Sequence, residues 1–143
     1  MEEIQQEIAV EPAMYDATIY PSLLKRVQST FIDGIFTFIL IGLLVTLANS
    51  INDNSVTLKV IAIFLGLSYE PISIAFSRTI GQRITGIRVV SVNNGKKVNI
   101  LLAYLRYIVK TILGWLSFLT MHRDTQRRAF HDFIANTVVV STR

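Results

Sequence analysis

The sequence predicts an all-α membrane protein with two transmembrane helices and a third amphipathic helix that is inserted in the membrane or lies at its interface. A small cytoplasmic β-hairpin or sheet completes the predicted fold. Apolar residues make up 51% of the 143 residues and charged residues only 17%, whereas soluble domains are about one quarter charged. Three apolar runs match the roughly 20 residues with which a helix crosses the hydrocarbon core of a bilayer. Short β-branched segments outside these runs are typical of strands.

Charge divides the chain into an N-terminal tail and one membrane domain. Residues 1–20 contain five acidic side chains and no basic one, and we expect them to form a flexible acidic tail. Residues 21–143 contain the other five acidic residues and all 14 Lys and Arg residues, a local net charge of +9. A basic surface favours anionic lipid or nucleic acid as a partner. The absence of cysteine excludes disulfides, thiolate metal sites and thiol catalysis.

The first two apolar runs predict membrane-spanning helices. Val27–Ala48 carries a single charge, Asp33, and Val56–Phe76 carries Lys59 and Glu70. An acidic N-terminus before a long first run does not fit a cleaved signal peptide, which begins with a basic region. The alternative is a buried helical hairpin in a soluble protein.

The third apolar run, Ile100–Thr120, contains Arg106 and Lys110. Each of these charges costs about 2.5–3.5 kcal/mol at the centre of a membrane. The basic segment after this run also favours the cytoplasm, so a third crossing would place it on the wrong side. We therefore expect this run to enter the membrane, or to lie along its surface, without crossing, with a bend at Gly114.

Loop charges predict the orientation of the two spans. The loop 49–55 has no Lys or Arg, whereas 77–99 contains five of them and Lys25 and Arg26 precede the first run. Positive loops stay in the cytoplasm. The N-terminus and 77–99 are therefore predicted to be cytoplasmic in a multi-pass protein of a bacterial inner membrane.

Three short segments outside the spans predict the cytoplasmic sheet. Ile87–Val92 and Thr137–Ser141 are β-branched strand candidates, and Asn94-Gly95 is a two-residue turn signal that would lead into Lys97–Ile100 as another strand. Arg127–Ala135 is predicted to be a short helix. A sheet that joins these segments requires the third run to begin and end on one face of the membrane.

Ionisable groups inside the apolar runs are the main candidates for function, because charge is costly in a bilayer and is tolerated there when it is paired. Asp33, Glu70 and Arg106 each lie six residues inside the end of a run, a depth of about 9 Å at helical rise. Lys110 is expected somewhat deeper and Arg26 at the rim. The first run carries two accessory hydroxyls on the face of Asp33, namely Thr30 and Thr37.

This arrangement permits three interpretations. The charges hold the segments together and nothing passes. Alternatively, Asp33 or Glu70 binds protons or cations under the influence of Arg106. The third interpretation is a groove for a lipid head group or another anionic ligand.

In their order and spacing, several motifs resemble the RDD family of small membrane proteins, over roughly residues 20–141. The matching positions are Arg26, Asp33, Thr79–Arg83 with Gly86, Arg88 and Val89, Tyr104–Tyr107, Arg128, His131, Asp132, Ala135 and Thr137–Val139. The resemblance implies the signature Arg26, Asp33 and Asp132, and it implies transport, since ion/proton exchange is reported for some members. Two positions depart from the family pattern: Gln82 stands where Lys is frequent, and Asn136 where Gly is common.

The remaining motifs indicate lipid contact and no catalysis. Five basic residues after the second run suit anionic lipid heads, since no base-stacking residues accompany them; they are Arg78, Arg83, Arg88, Lys96 and Lys97. His131 beside Asp132 either shuttles protons or orients a helix, with Arg128 as a further accessory. Gly81–Gly86 lacks the Lys and Ser/Thr of a phosphate loop. We expect no enzyme activity, no cofactor, no metal and no nucleic acid.

The sequence therefore favours a small membrane protein that exchanges cations for protons. Asp33 would hold the proton or monovalent cation, and Glu70 would take part in binding it. Arg26 with Asp132 would form a cytoplasmic latch. Two or three spans do not enclose a pathway, so this function requires a homo-oligomer in a bilayer with anionic heads. The alternative is a non-transporting scaffold or accessory subunit in which the same charges are structural.

Overall fold

The structure, a computed structural model, describes residues 19–114, 116, 118 and 126–142. The predicted acidic tail at 1–20 lies outside the described residues except for its last two positions.

Helix α1 spans Leu23–Ile51 and begins at a serine cap, because the Ser22 hydroxyl accepts the backbone N–H of Lys25. The helix ends at Asn52, where the backbone turns extended. At 29 residues it extends about one turn beyond each end of the predicted run Val27–Ala48. This length exceeds what the hydrocarbon core requires, so at least one full turn of α1 would extend beyond it.

The second predicted span forms two consecutive helices, α2 at Val56–Leu67 and α3 at Tyr69–Phe76, with Ser68 between them. Pro71 explains the interruption, because it has no N–H to donate to the carbonyl four residues earlier. The predicted extent, Val56–Phe76, is confirmed, and the segment is treated as one 21-residue candidate span.

Helices α1 and α2 pack as an antiparallel hairpin with a close contact at Gly66. A Cβ atom at Gly66 would overlap Cγ1 of Ile41, so only glycine allows this approach. Further along, the rings of Phe36 and Tyr69 have centroids 4.7 Å apart. Both α1 and the α2–α3 pair are long and apolar enough to cross a membrane, and their outer faces expose large apolar side chains such as Phe38 at 79%.

A compact cap covers one end of this hairpin. It begins with α4 at Ile80–Thr85, which ends at Gly86 in the left-handed conformation, φ 69°. Strand β1 at Ile87–Ser91 then pairs antiparallel with β2 at Thr137–Ser141, with Val89 opposite Val139. Both predicted β-branched strands are thus confirmed.

The predicted third strand at Lys97–Ile100 is wrong. The turn at Asn94-Gly95 forms, and the N–H of Gly95 donates to the carbonyl of Ser91 at 2.9 Å. The chain then enters a helix, because the Asn99 side chain caps it by accepting the N–H of Leu101. The sheet in the described residues has two strands, and β2 pairs along the whole of β1.

Helix α5 spans Ile100–Leu113, and α6 spans Phe130–Ile134 within the predicted segment Arg127–Ala135. Gly114 ends α5 with φ +54°, which confirms the predicted bend. Helix α5 packs against α3 and α6. Because β1 precedes α5 and β2 follows it, the chain returns to the end of the hairpin from which α5 began.

The two faces of the sheet pack against different parts of the cap. One apolar cluster joins β1 and β2 to α3 and α5; it contains Ile74, Ile87, Val89, Val98, Ala103 and Val139. On the opposite face, Val90 and Val138 pack against Tyr20, just before α1. The sheet therefore fixes α3, α5 and the start of α1 relative to one another.

Candidate functional site

The predicted ionisable residues gather where the helical hairpin meets the cap. A cavity of about 20 Å³ lies between α1, α3, α4, α5 and α6, large enough for one water-sized particle. Five of the six charged candidates line it: Arg26, Asp33, Glu70, Arg106 and Lys110. The sixth, Asp132, is bound to two of these five.

Asp132 is fully buried on α6 and accepts from both arginines. Arg26 Nη1 on α1 lies 2.7 Å from Asp132 Oδ2, and Arg106 Nε on α5 lies 2.8 Å from Oδ1. Oδ2 also accepts the backbone N–H of Ala129 at 3.1 Å, which fixes the start of α6. One carboxylate therefore joins α1, α5 and α6, and the predicted partnership of Arg26 with Asp132 is present.

Burial and charge act in opposite directions on Asp132. Burial alone would raise the pKa of this carboxyl, but the guanidinium groups of Arg106 and Arg26 hold its pKa well below the usual range. For the neighbouring His131, burial lowers the pKa to about 3 despite the adjacent carboxylate. His131 Nε2 lies 3.4 Å from Asp132 Oδ1, so near neutral pH a neutral imidazole lies beside an ionised carboxylate.

A second ion pair links α3 to α5. Lys110 Nζ donates to Glu70 Oε1 at 2.5 Å, and their side chains are 13% and 10% exposed. In the sequence-based interpretation Glu70 met Arg106, yet Arg106 pairs with Asp132 in the cap and Lys110 neutralises Glu70. The three predicted residues Asp33, Glu70 and Arg106 thus share a cavity without pairing with each other.

Asp33 has a different environment. Its Oδ2 accepts the hydroxyls of Thr79 at 2.6 Å and Ser29 at 3.5 Å, and its Oδ1 accepts the N–H of Gly81 at 2.8 Å. Asp33 is 3% exposed. Among the acidic residues that the structure describes, it is the one without an ion pair.

Gly81 allows α4 to approach Asp33 this closely. A Cβ at position 81 would overlap the carbonyl oxygen of Ser29 and lie 2.7 Å from Asp33 Oδ2. Ser29, Thr79 and Gly81 were not among the site residues predicted from the sequence. A threonine two residues before a glycine, immediately after a span, is the signal that could have identified them.

The carboxyls also differ in depth. The contact between Gly66 and Ile41 sets the register of the hairpin, and one further turn brings Glu70 opposite Thr37. Asp33 is another turn closer to the cap. Glu70 is therefore about one turn, or ~6 Å, deeper than Asp33, where the sequence predicted equal depth.

The accessory residues take separate places. Thr30 lines the cavity, and Thr30 and Thr37 both line an apolar groove of about 550 Å³ between α1 and α5 that reaches Glu70 and Lys110. Arg128 lies outside the cavity, with its guanidinium carbon 4.0 Å from the centroid of the Phe133 ring.

The basic residues predicted to contact lipid lie in the cap, apart from Arg78 just before it, and their exposure is unequal. Arg83, Lys96 and Lys97 are exposed. Arg78 and Arg88 are half-buried, and Arg78 Nη1 donates to the Thr142 hydroxyl at 3.1 Å. Three of the five are thus accessible to a charged surface.

Comparison with known families gives one result. The model of the RDD family matches residues 20–136, which is most of the chain and includes both candidate spans and all six charged candidates. Comparisons with curated proteins and with solved structures found no match.

Proposed function

Because the chain belongs to the RDD family, we propose that it is an integral membrane protein that exchanges monovalent cations for protons at Asp33. One observation carries the proposal: Asp33 is buried at a cavity and, among the described residues, is the acidic side chain without an ion pair. A buried carboxyl without a fixed counter-charge favours a bound proton or a mobile cation.

In this mechanism the cap holds Asp33 while its charge changes. The hydroxyl of Thr79 and the N–H of Gly81 donate to the carboxylate and stabilise its ionised form between loadings. Glu70 adds a second carboxylate to the cavity, and Lys110 balances its charge. Arg106 sets the affinity of the site from its place on Asp132.

The proposal places the cap in the cytoplasm of a bacterial cell. The cap contains Arg83, Lys96 and Lys97, whereas the loop 49–55 at the other end of the hairpin has no Lys or Arg. Cysteines introduced at Asn54 and Thr142 test this orientation, since the native chain has no cysteine. We expect a membrane-impermeant maleimide to label position 54 from outside and position 142 from inside, and labelling from one side would contradict the orientation.

The proposal also requires a homo-oligomer. With two spans, Glu70 and Lys110 lie beside an open groove and not within a closed pathway. Ionisable side chains that face lipid directly are unfavourable. Copies that meet around this groove would enclose it. Sizing of the detergent-solubilised protein measures the copy number.

Flux in proteoliposomes tests the exchange. We expect wild-type protein to couple sodium or potassium movement to proton movement, and Asp33→Asn to abolish this coupling while the protein remains folded. Asp53→Asn is the matched control, because Asp53 lies in the opposite loop with an 81% exposed side chain. Unchanged flux in folded Asp33→Asn protein would reject the mechanism.

A non-transporting scaffold is the second candidate, and the charge balance favours it. Three basic and three acidic side chains surround the cavity and sum to zero when Asp33 is ionised; they are Arg26, Arg106, Lys110, Asp33, Glu70 and Asp132. A balanced cluster requires no mobile ion. Under this function wild-type protein gives no flux, and Asp33→Asn loosens the assembly.

A further inference from the structure

A groove of about 340 Å³ lies between the cap end of α1 and the last turn of α4. It is lined by Gln28, Phe31 and Ile32 of α1 and by Ile84 and Thr85 of α4. Three of the five side chains are apolar, and Phe31 and Ile84 are exposed at 68% and 61%. Since about 10–15 Å³ holds one water molecule, the groove has room for an extended ligand.

Helix α4 has two faces of different character. Gly81 and Gln82 are buried on the side that packs against α1, whereas Ile80, Arg83 and Ile84 are exposed. Exposed apolar side chains that are contiguous with one another mark binding or membrane surfaces. The outer face of α4 therefore continues the lipid-facing side of α1 into the cap.

Two exposed basic side chains belong to the segments that form this groove. Lys25 precedes Gln28 by three positions, so it lies on the same face of α1, one turn closer to the cap end. Arg83 is the residue before Ile84. Both side chains are exposed, and neither forms an ion pair with a residue that the structure describes. The groove thus has an apolar floor and two positive charges without counter-ions.

We propose that this groove binds one anionic phospholipid of the leaflet on the cap side. An acyl chain lies along Phe31, Ile32 and Ile84, and the phosphate lies beside Lys25 and Arg83. The inference rests on the membrane insertion in the proposed function and does not depend on exchange at Asp33. Basic side chains next to spanning helices attract anionic head groups, and long basic side chains reach the interface from apolar surroundings.

Apolar lining distinguishes this site from the rest of the basic cap. Arg78 already donates to the Thr142 hydroxyl. Lys96 and Lys97 follow the turn at Asn94-Gly95, outside the segments that line the groove. A head group at Lys96 would gain charge attraction without a place for its chain. Anionic lipid should therefore bind most tightly at the groove, and a zwitterionic head, which has no net charge, should bind more weakly.

A lipid in this position also bears on the candidate site. The backbone N–H of Gly81, on the same short helix, donates to Asp33 at 2.8 Å. A ligand that contacts both α1 and α4 stabilises their packing and hence the position of this donor.

Lipid titration of the purified, delipidated full chain in detergent tests the site. Phosphatidylglycerol and phosphatidylcholine with the same acyl chains are compared by Tm, because a ligand of the folded state raises the Tm, and native mass spectrometry counts the bound lipid. We expect one tightly bound phosphatidylglycerol. The double variant Lys25→Gln/Arg83→Gln should lower its affinity at least tenfold. Lys96→Gln/Lys97→Gln is the matched control, because it removes the same charge from the same cap, and should change the affinity less than twofold.

Two single substitutions separate charge from groove. Arg83→Lys keeps the charge and should stay within threefold of the wild-type affinity. Ile84→Asn removes apolar lining while both charges remain, and it should lower the affinity about fivefold. Because both side chains are exposed, we expect these variants to fold as wild-type protein does.

Three results would overturn the inference. Equal Tm responses to the two lipids would exclude recognition of an anionic head. An equal loss of affinity in both double variants would mean diffuse attraction to the whole cap. A response to glycerol phosphate equal to that for phosphatidylglycerol would exclude the groove, since this probe has the head charge and no chain.

Flux measurements keep this inference apart from the proposed function. One phosphatidylglycerol bound through Lys25 and Arg83 to a protein without flux supports the lipid site and rejects exchange. Flux in a protein that does not distinguish the two lipids rejects the lipid site and leaves exchange standing.

Discussion

Asp132 and Asp33 are both buried carboxyls on the border between the hairpin and the cap, yet their partners differ in kind. Asp132 lies between two guanidinium groups, at 2.7 and 2.8 Å. Asp33 is held by two hydroxyls and one backbone N–H. Asp132 therefore lies beside two full positive charges, whereas Asp33 lies beside neutral hydrogen-bond donors.

This difference assigns different roles to the two signature aspartates. Removing the charge of Asp132 takes away the carboxylate that pairs with Arg26 and Arg106 in the buried cap, which is strongly destabilising. Hydrogen-bond donors tolerate a carboxyl in more than one charge state, because a protonated or cation-bound oxygen still accepts from them. Under the proposed function, the comparison makes Asp132 the structural group and Asp33 the exchangeable one.

Replacement of each aspartate by asparagine gives the largest expected contrast. We expect Asp132→Asn to destabilise the protein by about 3–5 kcal/mol, the usual effect of removing one partner of a buried ion pair. Asp33→Asn should cost about 1–2 kcal/mol, because the amide oxygen still accepts a hydrogen bond. Denaturant unfolding of both variants in the same detergent gives the two free energies.

Equal destabilisation by the two substitutions would break the comparison. Arg26→Gln sharpens it, because its effect in the Asp132→Asn background should be much smaller than in wild-type protein. Additive effects of these two changes would mean that the ion pair contributes little.

The sequence predicted the parts of this arrangement that depend on local pattern. Apolar length gave the two spans, and β-branched residues gave Ile87–Ser91 and Thr137–Ser141. Pro71 has a local effect as well, and its break in the second span could have been read from the sequence. The predicted third strand at Lys97–Ile100 was wrong because a turn signal at Asn94-Gly95 does not specify which segment pairs with β1.

Partners of the buried charges were harder to predict, because they depend on how distant segments dock. Asp33 and Gly81 are 48 positions apart, and their contact requires α4 to fold back against α1. Their place inside the apolar runs identified charged residues that gather at the cavity, but it did not identify their pairing. Which basic residue reaches Glu70 depends on the angle of α5, and Lys110 reaches it one helical turn beyond Arg106.

A smaller effect is expected from acid, through the histidine beside Asp132. The pKa of His131 falls from 6.5 in the unfolded chain to about 3 in the folded one. Between these values the unfolded chain binds one more proton, so the free energy of unfolding decreases as the pH falls, by about 1.4 kcal/mol per pH unit. From pH 7 to pH 5 we expect a loss of about 2 kcal/mol in wild-type protein.

His131→Gln isolates this contribution. The variant should lose less stability than wild-type protein between pH 7 and pH 5, measured by denaturant unfolding at each pH. Asp132 does not contribute in this range: its folded pKa lies below the ordinary 3.8, so its stabilisation is complete above that value and is lost only in stronger acid. An identical pH dependence in both proteins would show that another group titrates on the acid side.

The smallest expected effect comes from an ion pair that is exposed. Asp53 lies 3.6 Å from Lys59 in the loop opposite the cap, with its side chain 81% exposed. Water and salt screen such a pair, and exposed pairs contribute about 0.2–1 kcal/mol. Asp53→Asn should therefore change the unfolding free energy by less than about 1 kcal/mol in the same detergent assay. Because the substitution is the one applied to Asp132, the difference between the two results measures the effect of burial on an ion pair. A loss at Asp53 comparable to that at Asp132 would remove burial as the explanation.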